Sequence, residues 1–290
     1  MGVDLIRALV ESEALRVAPA SDVFWYTSGK VGPYYINTHF LYGGAQAAAA
    51  LLDFIEENAD PRARLFAAQL SEQVETMYER DDRYGAVIDR LAAAVDGTGE
   101  SYDFISGGQR RDWFFSVGVA ARLQRPHLYL YKDRSATVAH NSGGEQESAE
   151  WSGVRTIHVA DLVTEASSYL RSWVPALRDR GAEMGAAVNV VDRDQGGISA
   201  LQGQGVNASA LLRVDDALFD ALLQAGLVDA DQHERLQAYY RDPDEAMKRF
   251  IEDNPGFVED ALNGDDTRTA ECARLLLSEG FYGTGATRAN

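Results

Sequence analysis

The stretch Thr156-Ile157-His158-Val159-Ala160-Asp161-Leu162-Val163-Thr164-Glu165-Ala166-Ser167-Ser168-Tyr169-Leu170 decides how the rest of the chain is read. Its apolar start predicts a strand over 156–159, its polar middle a turn, and residues 167–180 a helix. A strand entering a helix through a polar turn is half of a βαβ unit. The alternation recurs on both sides. Residues 102–106 predict a strand ended by Gly107-Gly108, 114–123 a helix, 128–131 a strand and 186–191 another. Residues 133–152 read as a polar loop holding Gly143-Gly144. Strands alternating with helices imply right-handed crossovers and a parallel sheet flanked by helices, an α/β fold with these four strands adjacent or nearly so.

Further out the pattern changes. Residues 3–16 predict an amphipathic helix and 24–42 short aromatic strands broken by Ser28-Gly29-Lys30 and Gly32-Pro33. Residues 45–58 predict a helix, and 61–98 two helices with the stripes Phe66/Leu70/Val74/Met77 and Tyr84/Val87/Ile88/Leu91/Val95. Beyond about 205 no further strand is expected. Asp231-x-x-Glu234 resembles a capping box, and Asp242-Pro243 a helix start. The expected domains are therefore 1–204, with 61–98 as a helical insertion, and a small acidic helical extension over 205–290.

The formal net charge is −18, and residues 201–290 hold 17 acidic and 8 basic side chains. That field repels nucleic acid and anionic lipid, and it repels phosphorylated small molecules wherever no local cations offset it. The single cysteine, Cys272, permits no internal disulfide and fits a reducing, cytoplasmic setting. Neither a signal peptide nor a membrane span is expected.

Ligands of an open parallel sheet bind beyond the carboxyl ends of its strands, so the polar residues there are the candidates. They are Gln109-Arg110-Arg111-Asp112 after the first strand, Lys132-Asp133-Arg134 after the second, the turn from Asp161 to Ser168, and Asp192-Arg193-Asp194-Gln195-Gly196-Gly197 after the fourth. A glycine turn opening a helix presents N–H groups to an anion. With the aromatic segment Phe24-Trp25-Tyr26-Thr27-Ser28-Gly29-Lys30-Val31-Gly32-Pro33-Tyr34-Tyr35-Ile36-Asn37, these runs resemble, in order and spacing, the type I phosphoribosyltransferases of the orotate kind. The resemblance spans about residues 20–200.

The resemblance implies the family's sheet with an aromatic hood. It also implies transfer of a phosphoribosyl group from phosphoribosyl diphosphate to a pyrimidine-type base, with magnesium carried by the diphosphate. In that reading Arg111, Lys132 and Asp161 do the catalytic work on diphosphate and ribose, with Arg110 and Arg134 as further cations. Thr164, Ser167 and Ser168 cradle the 5′-phosphate. Arg193, Lys30, Tyr34, Tyr35 and Ile36 hold the base, and a homodimer is implied. The chain departs from the family pattern at Ala160, where an acid is expected, and at Ala166, where a glycine is. Tyr131 and Ser135 stand where the mobile loop has an arginine and a lysine; Arg134 or His140 match that lysine only loosely. Glu165 adds a carboxylate to the phosphate loop. At ~5 Å and an effective dielectric near 20 it would repel each phosphate charge by roughly 3 kcal/mol. The same departures allow a second reading, a catalytically inactive relative that senses a nucleotide or phosphoribosyl ligand or serves as a protein-binding scaffold.

Overall fold

The computed structural model describes residues 4–60, 65–139, 145–147 and 151–284. In chain order the elements begin with α1 (Leu5–Glu11), β1 (Leu15–Val17), β2 (Phe24–Trp25), β3 (Val31–Gly32), β4 (Tyr34–Ile36), α2 (Ala45–Asn58), α3 (Phe66–Arg80) and α4 (Asp82–Gly97). The alternating region follows: β5 (Phe104–Gly108), α5 (Trp113–Arg122), β6 (His127–Leu130), β7 (Ala136–Ala139), β8 (Glu145–Glu147), β9 (Arg155–Val163), α6 (Val174–Arg178), β10 (Glu183–Asp192), α7 (Gly197–Gln202) and β11 (Asn207–Arg213). The chain continues with α8 (Asp216–Gln224), α9 (Ala230–Arg241), α10 (Pro243–Asp253), α11 (Phe257–Asn263) and α12 (Thr267–Glu279). Among the described residues no helix is long and apolar enough to cross a membrane.

Two units result. One is built from the chain up to Ala14 and Asn37–Val214, the other from Leu15–Ile36 and the chain from Asp215 onward. In the first, seven strands form a sheet of order β11-β10-β9-β5-β6-β7-β8. The five from β11 to β6 are parallel, as expected, while β7 and β8 run antiparallel at one edge. Side chains alternate between faces. Leu128, Leu130, Ala160 and Ala187 join one apolar cluster with Tyr169, Trp173, Val174 and Leu177. Tyr129 turns the other way, its ring 5.3 Å from that of Trp113 at the start of α5. Both faces are thus covered, as a parallel sheet requires.

Several expectations are corrected. The expected loop 133–152 contains β7 and β8. Ala136, Thr137 and Val138 are buried, but with two small residues among them they carry no strong apolar alternation. β11 lies beyond the expected boundary at 204. It pairs with β10 along Ala186↔Asn207 to Asp192↔Arg213 as a half-exposed edge strand, so its apolar content is thin. The helical pair over 61–98, expected as an insertion, covers the sheet: α4 packs on β10 and β11, and Tyr84, Val87, Ile88 and Leu91 are buried, which leaves that expectation as it stands. The first helix stops at Glu11, where the Ser12 hydroxyl donates back to Ala8 O at 2.7 Å, and β1 follows. The capping box sits at Asp229 and Gln232, two residues before the expected one, whereas Asp242 caps α10 as read.

The second unit joins the aromatic segment to the C-terminal helices, so the 205–290 extension is not a unit by itself. β1 pairs with β4 and β2 with β3, both antiparallel. Trp25 stacks on Phe257 at 5.0 Å, Tyr34 meets Tyr239 edge-on at 5.7 Å, and Val23 and Val31 share a core with Met247, Phe250 and Leu276. These partners are more than 200 residues apart in sequence, a pairing no local pattern reveals.

Candidate functional site

The site begins where β5 ends. A Cβ on Gly107 would lie 2.1 Å from Ser116 Oγ, and one on Gly108 would lie 2.3 Å from the Trp173 ring. Only glycine lets α5 and the Tyr169–Trp173 turn close on the strand from both faces. The chain then passes through a cis Gln109–Arg110 peptide bond to Arg110, Arg111 and Asp112. Gln109 N–H donates to Leu130 O at 2.8 Å, and its side-chain oxygen accepts from Lys132 N–H at 3.1 Å. This fastens the turn after β5 to the turn after β6 and sets Lys132 beside the two arginines.

β9 delivers the remaining groups. Asp161 is buried at its end, and the turn through Thr164 brings Ala166 into a left-handed conformation (φ 57°) before Ser167 and Ser168. A cavity of about 270 Å³ opens between these strand ends. It is lined by seven of the expected residues, Arg110, Arg111, Lys132, Asp161, Thr164, Ser167 and Ser168. It is lined also by Gln109, Asp112 and Ala166, which the sequence places in these turns without a ligand contact of their own, and by Tyr169 and Trp173. Asp112 had a legible signal, an acid directly after two arginines at a helix start. Tyr169 and Trp173 had none, because their direction depends on a π-helical turn over Tyr169–Trp173.

The departures take on new meaning here. Glu165 is exposed and does not line the cavity, so the expected repulsion of a phosphate is not imposed. Ala160 is buried in the apolar cluster beneath the sheet, so β9 turns one carboxylate, Asp161, to the cavity. Tyr131 is a core residue, its ring 5.2 Å from that of Trp113. Ser135 is hydrogen-bonded to Asp133.

Other expected residues lie elsewhere. Arg134 donates to Arg171 O at 2.7 Å and does not line the cavity. Arg193 also lies outside the lining, although its N–H donates to Val163 O at 2.9 Å next to the Thr164–Ser168 turn. Lys30, Tyr34, Tyr35 and Ile36 belong to the second unit, where Lys30 pairs with Asp244 at 2.9 Å. His140 lies outside the described residues.

The cavity concentrates cations in an acidic protein. Arg110 is ion-paired with Glu56, whereas Arg111 and Lys132 are exposed. Burial, and next to it the Arg111 charge, holds His39 down to about 4, so that ring is neutral at pH 7. Under the cations lies a buried polar chain. Thr38 Oγ1 donates to Asp161 at 3.0 Å. Asp112 accepts from Gly108 N–H at 3.0 Å and from Asp161 N–H at 3.3 Å, and His158 Nε2 lies 3.3 Å away. Ser106 Oγ lies 3.0 Å from His158 Nδ1. Asp112 needs a donor, so Nε2 carries the ring proton and Nδ1 accepts from the serine. Among the described residues no three His, Cys, Asp or Glu side chains gather as a metal site.

Burial pushes the Asp161 carboxyl from 3.8 up to about 7, helped by the Asp112 charge and opposed by Arg111 and the Thr38 hydroxyl. The folded chain therefore holds this proton more tightly than the unfolded one. The stability it contributes is full below about pH 4 and is lost as pH rises through about 7. Asp161→Asn removes that loss, so its gain in melting temperature should be larger at pH 8 than at pH 5. Thermal melts at the two pH values check this; an equal or smaller gain at pH 8 would contradict it.

No family model matches the chain. A curated orotate phosphoribosyltransferase of Pyrococcus furiosus is 24% identical over 221 residues, 76% of this chain and 97% of that protein. One of Sulfolobus acidocaldarius is 22% identical over 237 residues, 82% of this chain and 96% of that protein. Among solved structures, orotate phosphoribosyltransferase of Francisella tularensis superposes with a TM-score of 0.52 at 14% identity, covering 81% of this chain and 96% of its own. UMP synthase of Leishmania donovani does so with a TM-score of 0.52 at 18% identity, covering 81% of this chain and 41% of its own. The solved structures show that this chain has the fold of the type I phosphoribosyltransferases, and the curated proteins it resembles in sequence are orotate phosphoribosyltransferases.

Proposed function

We propose that the chain is an orotate phosphoribosyltransferase-like enzyme, which joins a ring nitrogen of a pyrimidine-type base to ribose C1 as magnesium-bound diphosphate leaves. The products are the nucleoside 5′-monophosphate and diphosphate. One observation carries the reading: the turns after β5, β6 and β9 place Arg111 and Lys132, Asp161, and the Thr164–Ser168 loop around one cavity at the carboxyl ends of parallel strands. A diphosphate needs cations, a ribose needs a hydroxyl acceptor, and a 5′-phosphate needs hydroxyls and amides at a helix start. The three sets stand side by side, so the site acts mainly by positioning and by neutralising the leaving group.

In this reading Arg111 and Lys132 face the diphosphate, with Arg110 in support once it parts from Glu56. Asp161 holds the ribose, and Thr164, Ser167 and Ser168 hold the 5′-phosphate. Arg193 is assigned to the base, and Arg134 to the rim. Magnesium enters as part of the substrate and supplies charge neutralisation. We place the protein in the cytoplasm as a homodimer; light scattering at micromolar concentration should report twice the 31.7 kDa chain mass, and a monomer would contradict the assembly.

Tyr131 and Ser135, both engaged within the fold, favour one alternative, a relative that binds the sugar diphosphate without turning it over. Calorimetry with magnesium phosphoribosyl diphosphate, paired with chromatographic detection of nucleotide after orotate is added, separates the readings. The wild type should bind and form nucleotide, and Lys132→Ala or Arg111→Ala should weaken binding at least tenfold, about 1.4 kcal/mol. Binding without product selects the non-catalytic relative; no binding by the wild type overturns the site.

A further inference from the structure

Asp112 stands outside the strand motif, at the start of α5, yet it lines the cavity beside Asp161. It is held from the protein interior by Gly108 N–H at 3.0 Å, Asp161 N–H at 3.3 Å and His158 Nε2 at 3.3 Å. His158 is fully buried and backed by Ser106, so the carboxylate is aimed by the core rather than by solvent. Asp161 is held in turn by Thr38. The Asp161 N–H contact makes the two acids neighbours, and the Asp112 charge is one of the causes that raise the Asp161 carboxyl. β9 itself turns no second acid to the cavity, because Ala160 packs into the apolar cluster.

We propose that Asp112 and Asp161 together form a receptor for the cis-diol of a ribose phosphate, with Asp112 supplying from α5 the carboxylate that β9 lacks and setting a preference for ribose over 2-deoxyribose. The inference rests on the reading of the cavity as a phosphoribosyl site. Its chemistry follows from the pair. Burial, and next to it the neighbouring Asp112 carboxylate, disfavours ionisation of Asp161, so the pair favours one proton, carried on Asp161, over two negative charges. The pair can then accept a hydrogen bond from one hydroxyl and donate to the other. The hydroxyls of a cis-diol are both donors and acceptors and suit such a pair. That proton also spares the bound phosphates a second negative charge. A lone carboxylate cannot engage both hydroxyls in this complementary way.

The test is calorimetry on the full chain with ribose 5-phosphate and 2-deoxyribose 5-phosphate. The wild type should bind the ribose compound at least tenfold more tightly. Asp112→Asn should reduce that ratio to below about threefold while leaving affinity for the deoxy compound equal or higher. Lys132→Ala should weaken both compounds and leave the ratio intact. A wild type that binds both sugars equally overturns the inference without need of any variant, and so does an Asp112→Asn protein with an unchanged ratio or with both affinities reduced alike. A wild type that binds neither sugar phosphate nor phosphoribosyl diphosphate overturns the underlying site reading as well.

Discussion

Asp161 and Asp112 lie side by side at the floor of a cavity whose other charged walls are Arg110, Arg111 and Lys132. A buried acid beside a second, half-buried one is costly unless hydrogen bonds and a nearby cation compensate. The surrounding structure supplies each. Thr38 reaches Asp161 from the segment before α2, Gly108 and His158 reach Asp112 from the sheet, and the Arg111 charge acts on Asp161. The parallel pairing of β5 with β9 brings these groups to one level, and Gly107 and Gly108 let the covering elements close on them.

The acidity of the chain is consistent with an anionic ligand because the cations are gathered locally. Lys132 is fastened to the β5 turn through Gln109, and the one acid that threatened the phosphate loop, Glu165, stands exposed. The local field at the cavity therefore differs from the average implied by a net charge of −18. A cavity is thus to be judged by the charges that line it.

The alternation of strand and helix between residues 102 and 191 was legible, because fully buried parallel strands read as short apolar runs between glycine-rich or polar turns. The polar ends of those strands were legible for the same reason, and seven of the expected site residues line the cavity. What stayed hidden depends on long-range geometry. β7 and β11 lie outside the buried centre of the sheet and carry weak patterns. The aromatic segment around Trp25 is completed by Phe257, whose position no window of sequence relates to it. The part played by Asp112 emerges only once β9 has placed Asp161 and His158 beside it. Ala166 read as a defect in the phosphate turn, yet the backbone there takes the left-handed conformation that a glycine would adopt.

The most direct measurement is a crystal structure of the protein with magnesium phosphoribosyl diphosphate. The account predicts the diphosphate against Arg111 and Lys132, the 5′-phosphate on the turn from Thr164 to Ser168, and the ribose hydroxyls on Asp161. Ligand bound elsewhere on the chain, or lying in this cavity with its phosphates turned away from those groups, would contradict it.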